Sequence, residues 1–315
     1  MAIHEIAYCA TSISEGGWAN NKNDSGGQTW KGISRNNFPS LSLWQTIDFI
    51  IDLELGNHIQ KSNEVSDWQK ITRILNKHNE LEEKVRRFYL VNFWNRINGD
   101  IIRSQKLANE LYDTCVNTGL SQGVKFFQRA LNYIGYNTKN IKVDGDFGKL
   151  TANKYETCLS PENNEDFLFV LMNLYQGSFY LSIAERKPTQ EQFLQSWLNR
   201  VELSCILPKL RWNNFINNIG ETRSYFFSPS TIKNDEYLKI IQKACNLLNV
   251  NGKRFKDLKV DGIIGKKSKL AIKYCIKKSK VENFEKAILL MVIDITLPRI
   301  SLEHNRITYI SLFFA

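Results

Sequence analysis

Residues 14–34 read Ser14-Glu15-Gly16-Gly17-Trp18-Ala19-Asn20-Asn21-Lys22-Asn23-Asp24-Ser25-Gly26-Gly27-Gln28-Thr29-Trp30-Lys31-Gly32-Ile33-Ser34. A helix cannot run through this stretch, because each of its glycines would cost about 1 kcal/mol there relative to alanine. Tight turns or a short hairpin suit it better, since glycine supplies positive φ at no steric cost. Two carboxylates frame the stretch. Glu15 closes an apolar-periodic segment, and Asp24 lies between the two Gly-Gly pairs. The reading is therefore an acid at a helix end, facing a folded-back loop that carries a second acid and Thr29.

On either side the pattern is helical. Residues 2–13 place Ile3, Ile6, Ala7 and Ala10 on one face. Leu41–Leu55 follows the start signal Pro39-Ser40, and Val65–Asn76 and Glu80–Phe93 continue the helical period. Gln105–Thr118 repeats Leu107, Leu111 and Cys115 and closes at Gly119. Gly123–Tyr133 is a further helix, and no strand pair is predicted outside the opening loop.

A repeat occupies the second half. Phe127-Gln128-Arg129-Ala130-Leu131-Asn132 followed by Val143-Asp144-Gly145 returns as Ile241-Gln242-Lys243-Ala244-Cys245-Asn246 followed by Val260-Asp261-Gly262. The offset is 114 at Gln128/Gln242 and 117 at Asp144/Asp261, so the second copy carries three extra loop residues. The 117 offset persists through Cys158/Cys275, Phe167/Phe284 and Ile183/Ile300. This is the mark of a duplicated unit: helix, tight Asp-Gly turn, helix, then a longer apolar helix.

Charge divides along the same line. Residues 206–315 hold 20 Lys+Arg against 9 Asp+Glu, while residues 1–205 hold 22 against 23. A basic module beside a neutral one points to an anionic partner. No base-reading pattern accompanies the lysines, so nucleic acid is not the expected partner. The six cysteines form no CxxC pair and the four histidines are scattered, so neither a metal nor a cofactor is expected. The N-terminus lacks the pattern of a signal peptide. The most membrane-like run, Ala287–Ile293, is stopped by Asp294 and Pro298, so no transmembrane helix is expected.

Glu15-Gly-Gly-Trp…Asp24-Ser-Gly-Gly-Gln-Thr29…Gly32-Ile33-Ser34 resembles the opening motif of glycoside hydrolase family 108, lysozyme-like N-acetylmuramidases of phages and bacteria. The likeness continues through Phe93-Trp94…Gly99-Asp100, Asp113…Asn117-Thr118-Gly119 and Phe127-Gln128-Arg129 to Trp197-Leu198-Asn199-Arg200-Val201, about 1–203. Trp18 stands where the family more often shows tyrosine. The resemblance implies a mainly α, lysozyme-like domain with a small β-hairpin near the active site, followed by a helical repeat module. It implies a catalytic lobe at 1–120 and a peptidoglycan-binding-like half at 121–205 that completes the enzyme. A linker at 206–234 and a second, basic copy at 235–315, read as a wall-binding module, would follow.

The implied chemistry is cleavage of the peptidoglycan glycan by a monomer without cofactor. Glu15 would protonate the leaving oxygen, its pKa raised by a dry wall of Trp18 and Trp30, and both indoles would also bind substrate by offering a flat apolar face to a sugar. Asp24 would activate a water or counter the cationic transition state, or else serve as an Asx-turn residue. Thr29 would hold that water or belong only to the hairpin. Asn117 shares a helix face with Asp113 and would contact sugar or cap a loop. Peptidoglycan is the expected partner, with an anionic wall or membrane surface for the basic copy. A phage lysin held in the host cytoplasm or packaged in a virion fits the missing signal. The competing readings are a non-catalytic wall-binding or virion protein and a glycosidase acting on chitin-like polymers.

Overall fold

The computed structural model describes residues 1–12, 16–20, 26–62, 64–135, 138–159, 164–203, 234–249, 254–278 and 281–296. Glu15, Asp24 and residues 206–233 of the expected linker lie outside them. Among the described residues the fold is mainly α, as expected, with one three-stranded antiparallel sheet that extends the expected hairpin by a strand. The chain divides into two compact units, 1–165 and 166–315.

In the first unit α1 (His4–Ser12) leads to β1 (Trp18–Ala19), β2 (Thr29–Trp30) and β3 (Ile33–Ser34). Then come α2 (Ser42–Leu55), α3 (Val65–Leu75), α4 (Asn79–Tyr89), α5 (Gln105–Thr118), α6 (Leu120–Ile134) and α7 (Lys149–Cys158). Ser104 caps α5, its side chain accepting from the Leu107 N–H, which satisfies one of the helix's orphan donors. Leu107, Ala108, Leu111, Tyr112 and Cys115 recur at helical spacing and are all fully buried. Gly119, at φ 90°, ends α5, and α6 then packs closely against it. A Cβ on Gly123 would sit 2.5 Å from Cys115 Sγ, so only glycine permits this approach.

The expected helix 80–93 is interrupted. It stops at Tyr89 and passes into a π-helical turn, Leu90–Trp94. Trp94 then lies against Gly99, where a Cβ would come within 2.3 Å of the indole, and its Nε1 donates to Asp100 at 2.8 Å. Helical periodicity cannot reveal one extra residue in a turn, because the hydrophobic face continues through it.

The second unit contains most of α8 (Asn164–Arg186), then α9 (Glu191–Arg200), α10 (Asn234–Leu247), α11 (Lys266–Lys278) and α12 (Val281–Thr296). Among the described residues, Glu165–Arg186 is the one helix long and apolar enough to cross a membrane, and most of it is buried. It displaces Ala287–Ile293 as the most span-like segment. Gly177 of α8 meets Leu290 of α12, with no room for a Cβ between them. This is the crossing of two core helices, which accounts for the apolar length of α8.

The duplication is visible bond by bond. In the first copy Gln128 Nε2 donates to Asp144 Oδ1 and to the Asp146 carbonyl, while its Oε1 accepts from the Gly145 N–H. One turn later Asn132 exchanges two bonds with the backbone of Ile141. In the second copy Gln242 makes the same bonds to Asp261 Oδ1, the Ile263 carbonyl and the Gly262 N–H. Asn246 likewise exchanges two bonds with Leu258. Gly145 and Gly262 take φ 83° and 79°. The Gln-x-x-x-Asn spacing places both amides on one helix face, where together they hold the loop that leads into the next helix.

Candidate active site

The hairpin is built first. Trp30 pairs with Ile33, leaving Lys31-Gly32 as a two-residue loop. Both loop residues have positive φ, 44° and 77°, as a type I′ turn demands. Lysine in this region costs about 1–2 kcal/mol, and three contacts hold it there. Lys31 Nζ pairs with Glu82 at 2.6 Å. The Tyr89 hydroxyl donates to the Lys31 carbonyl at 2.8 Å. The Lys31 N–H donates to the Gly17 carbonyl at 3.4 Å. The turn is thus fastened to α4 by side chains 51 and 58 residues away.

The two glycines after position 15 have different reasons to be there. A Cβ on Gly17 would lie 2.3 Å from Thr72 Oγ1 of α3, whereas one on Gly16 would meet nothing within 4 Å. Thr72 also accepts from the Trp18 N–H at 2.9 Å. Gly17 therefore lets β1 dock on α3, and Gly16 faces open space.

Between these elements lies a cleft of about 260 Å³. α1 contributes Tyr8 and Thr11, the loop Gly16 and Gly17, the hairpin Lys31, and α4 Glu82 and Tyr89. Glu82 organises its charge, accepting from Tyr8 at 2.8 Å, Lys31 at 2.6 Å and Arg86 at 3.3 Å. Burial pushes the Glu82 carboxyl up. Hydrogen bonds from Lys31 and Tyr8, with the charges of Lys31 and Arg86, outweigh that and hold it below the usual carboxylate range. Burial, reinforced by Glu82, drives the Tyr8 hydroxyl far above its ordinary value, so it remains a donor. Glu82 is then a fixed anion near neutral pH and no proton donor. Thr11 Oγ1 is buried at the cleft without a hydrogen-bond partner among the described residues.

The residues expected from the sequence fall into three groups. Glu15 and Asp24 lie outside the described residues. Trp18, Thr29 and Trp30 are brought together by the hairpin, Trp18 opposite Trp30 and Thr29 opposite Ala19. The two indoles are 4% and 1% exposed, so they form packing surface and present no free face to a sugar. Thr29 is half-buried, and its hydroxyl donates to the Gly27 carbonyl at 3.3 Å. Asn117 is exposed on α5 and bonds back to the Asp113 carbonyl, and neither it nor Trp18, Thr29 or Trp30 lines the cleft described above. Sequence reading missed Lys31, Glu82, Tyr8 and Thr11. Glu82 sits in Glu80-Leu-Glu82-Glu83-Lys84, which reads as an ordinary solvated helix face. Lys31 left one trace, a Trp-Lys-Gly-Ile segment short enough to be a two-residue hairpin loop.

Residues 9–119 match the family Glycosyl hydrolase 108, and residues 122–202 match the family Predicted Peptidoglycan domain. No curated protein matches the chain.

Proposed function

We propose, for a chain whose residues 9–119 belong to the glycosyl hydrolase 108 family and whose residues 122–202 belong to the predicted peptidoglycan domain family, an N-acetylmuramidase. It cleaves the peptidoglycan glycan between N-acetylmuramic acid and N-acetylglucosamine. Glu15 is the general acid. The observation that carries this reading is that Gly16 and Gly17, which directly follow Glu15 in sequence, line the cleft of the glycosyl hydrolase domain. The described carboxylate in that cleft, Glu82, is held ionised, which leaves the proton-donating role to another residue. Buried Trp18 and Trp30 supply the apolar surroundings that raise a carboxyl pKa into the working range of an acid catalyst. Asp24 activates the water or balances the oxocarbenium charge, and Thr29 positions that water.

The first copy of the Asp-Gly turn belongs to the enzyme's frame. Asn98, which follows the 3₁₀ turn Asn95–Ile97 after the π-helical turn, donates to the Phe147 carbonyl at 2.9 Å, and Gly145 packs on Ser121. The second copy, 235–315, has no loop of the Glu15 type and is read as a unit that holds the wall without cutting it. This composition suits a phage lysin kept in the host cytoplasm or carried in a virion.

Digestion of isolated walls by wild type and Glu15→Gln, with mass spectrometry of the released ends, tests the proposal. Loss of the acid should cost about 10²–10⁴-fold in rate, and new reducing ends should fall on N-acetylmuramic acid. Equal activity of the two proteins would remove Glu15 from the mechanism. Reducing ends on N-acetylglucosamine would overturn the choice of bond.

A further inference from the structure

The matched interiors of the two turns follow from packing; their outer faces do not. Three lysines recur at the 117 offset, as Lys139/Lys256, Lys142/Lys259 and Lys149/Lys266, and all six are exposed. Other exposed positions in the same stretch have diverged: Asn140/Asp257, Asp146/Ile263 and Leu150/Lys267. Lys142 and Lys259 act on the turn acids Asp144 and Asp261, which accounts for one pair within the fold. Lys139/Lys256 and Lys149/Lys266 make no ion pair among the described residues, so their recurrence points to something outside the chain. Two of the divergences also raise the positive charge of the second rim, by loss of an acid at Ile263 and gain of a base at Lys267.

In the second copy this rim surrounds a groove of about 490 Å³, with Lys256, Lys259, Lys266 and Lys267 around Ile263. Its two acids are engaged. Asp261 accepts from Gln242 and from the Ile263 N–H, and Asp257 accepts from Asn249. Lys259 stands 4.0 Å from Asp261. Lys256, Lys266 and Lys267 form no ion pair among the described residues. Ile263 is 72% exposed. A ligand that satisfies this groove must bring anionic groups to the lysines and a small alkyl group to the exposed Ile263 side chain. A polyol-phosphate chain meets the lysines and leaves Ile263 in water. A short peptide with carboxylates and methyl side chains meets both demands.

We propose that this groove binds an acidic, alanine-containing peptide of the kind carried by peptidoglycan as its stem. The proposal rests on reading 235–315 as a wall-binding unit and names the ligand of that unit. The test uses the full-length protein, titrated calorimetrically at low salt with a synthetic N-acetylated pentapeptide of alanine, γ-linked glutamate, Nε-acetyl-lysine and two alanines, whose blocked amines and two free carboxylates make it acidic. A glycerol-phosphate oligomer is titrated in parallel. The triple variant Lys259→Gln/Lys266→Gln/Lys267→Gln should bind the peptide about tenfold more weakly, as expected for removing three exposed charge contacts. Ile263→Ser should weaken the peptide and leave the phosphate oligomer unchanged. All four side chains are exposed, so the fold is kept, which circular dichroism verifies. Equal peptide affinity of wild type and triple variant would overturn the assignment, as would tighter binding of the phosphate oligomer. If the peptide fails while isolated walls retain wild type and release the triple variant, the peptide assignment falls and the wall-binding reading stands. If neither protein is retained on walls, both fall.

Discussion

Among the described residues the cleft hairpin occurs once and the Asp-Gly turn twice, and their contacts explain the difference. The turn's own amides act locally: Gln128 and Asn132 reach residues 9 to 23 positions ahead, and their partners travel with the segment, the bond from Asn98 to Phe147 in the first copy being an addition from outside it. The hairpin is held from afar, by Thr72, Glu82 and Tyr89 on two separate helices. A segment that carries its own hydrogen-bond partners can be copied and still fold. One that depends on distant helices cannot, and copying residues 16–34 alone would leave Lys31 strained without its supports.

The sharpest way to break this comparison is to remove the central amide of each turn. Gln128→Ala and Gln242→Ala each remove the amide's bonds to the turn backbone and to the Asp carboxylate, which keeps the bond from a following N–H, at a cost of about 2–3 kcal/mol. Hydrogen exchange should report it locally, faster at Gly145 in the first variant and at Gly262 in the second. Only Gln128→Ala should lower activity on soluble glycan fragments. A cost confined to one copy would mean that the turns share a sequence without sharing an energetic role.

The hairpin makes the next largest demand. Gly17→Ala pushes a methyl group into Thr72 and should destabilise the first unit by about 1–3 kcal/mol. Gly16→Ala, one residue earlier, should change stability by no more than about 0.5 kcal/mol. Thermal unfolding of the pair checks this, and equal effects would refute the docking of β1 on α3. Lys31→Gly sharpens the same point. Relief of the positive-φ strain, about 1 kcal/mol, offsets the loss of an ion pair worth up to about 1 kcal/mol, so the melting temperature should barely move. A large loss would make the Glu82 pair, and not backbone strain, the dominant force on the loop.

The same contrast governs what could be read beforehand. The repeat, its turn and the helices that flank it are legible because their determinants are near in sequence and recur at a fixed offset. Glu15, Asp24 and the glycines were singled out because a glycine-rich loop with acids is an unusual local pattern. Glu82 was not, because its character comes from Lys31 and Tyr8, which the fold brings from 51 and 74 residues away. Asn117 shows the limit of local pattern. Its place one helical turn from Asp113 is legible, but helix spacing fixes only which residues share a face and says nothing of what that face meets.

Acid gives the smallest and most discriminating test, because both regions depend on carboxylates held below their ordinary range. Glu82 is lowered by Lys31 and Tyr8 against the opposing effect of burial, and Asp144 and Asp261 chiefly by the hydrogen bonds from Gln128 and Gln242. A group with a depressed pKa in the folded state contributes stability above its unfolded pKa. It loses that contribution as pH falls from about 4 through the folded value. The hairpin and both turns should therefore lose amide protection in acid, the hairpin by less than about 1 kcal/mol because Glu82 is partly solvated. Glu82→Gln separates them. The acid-dependent part of the protection at the Lys31 N–H should vanish, since the amide does not titrate, while Gly145 and Gly262 keep their wild-type pH profiles. Parallel changes at all three amides would show that the hairpin and the turns respond to acid as one cooperative unit, and the contrast between a remotely held loop and a locally held turn would be lost.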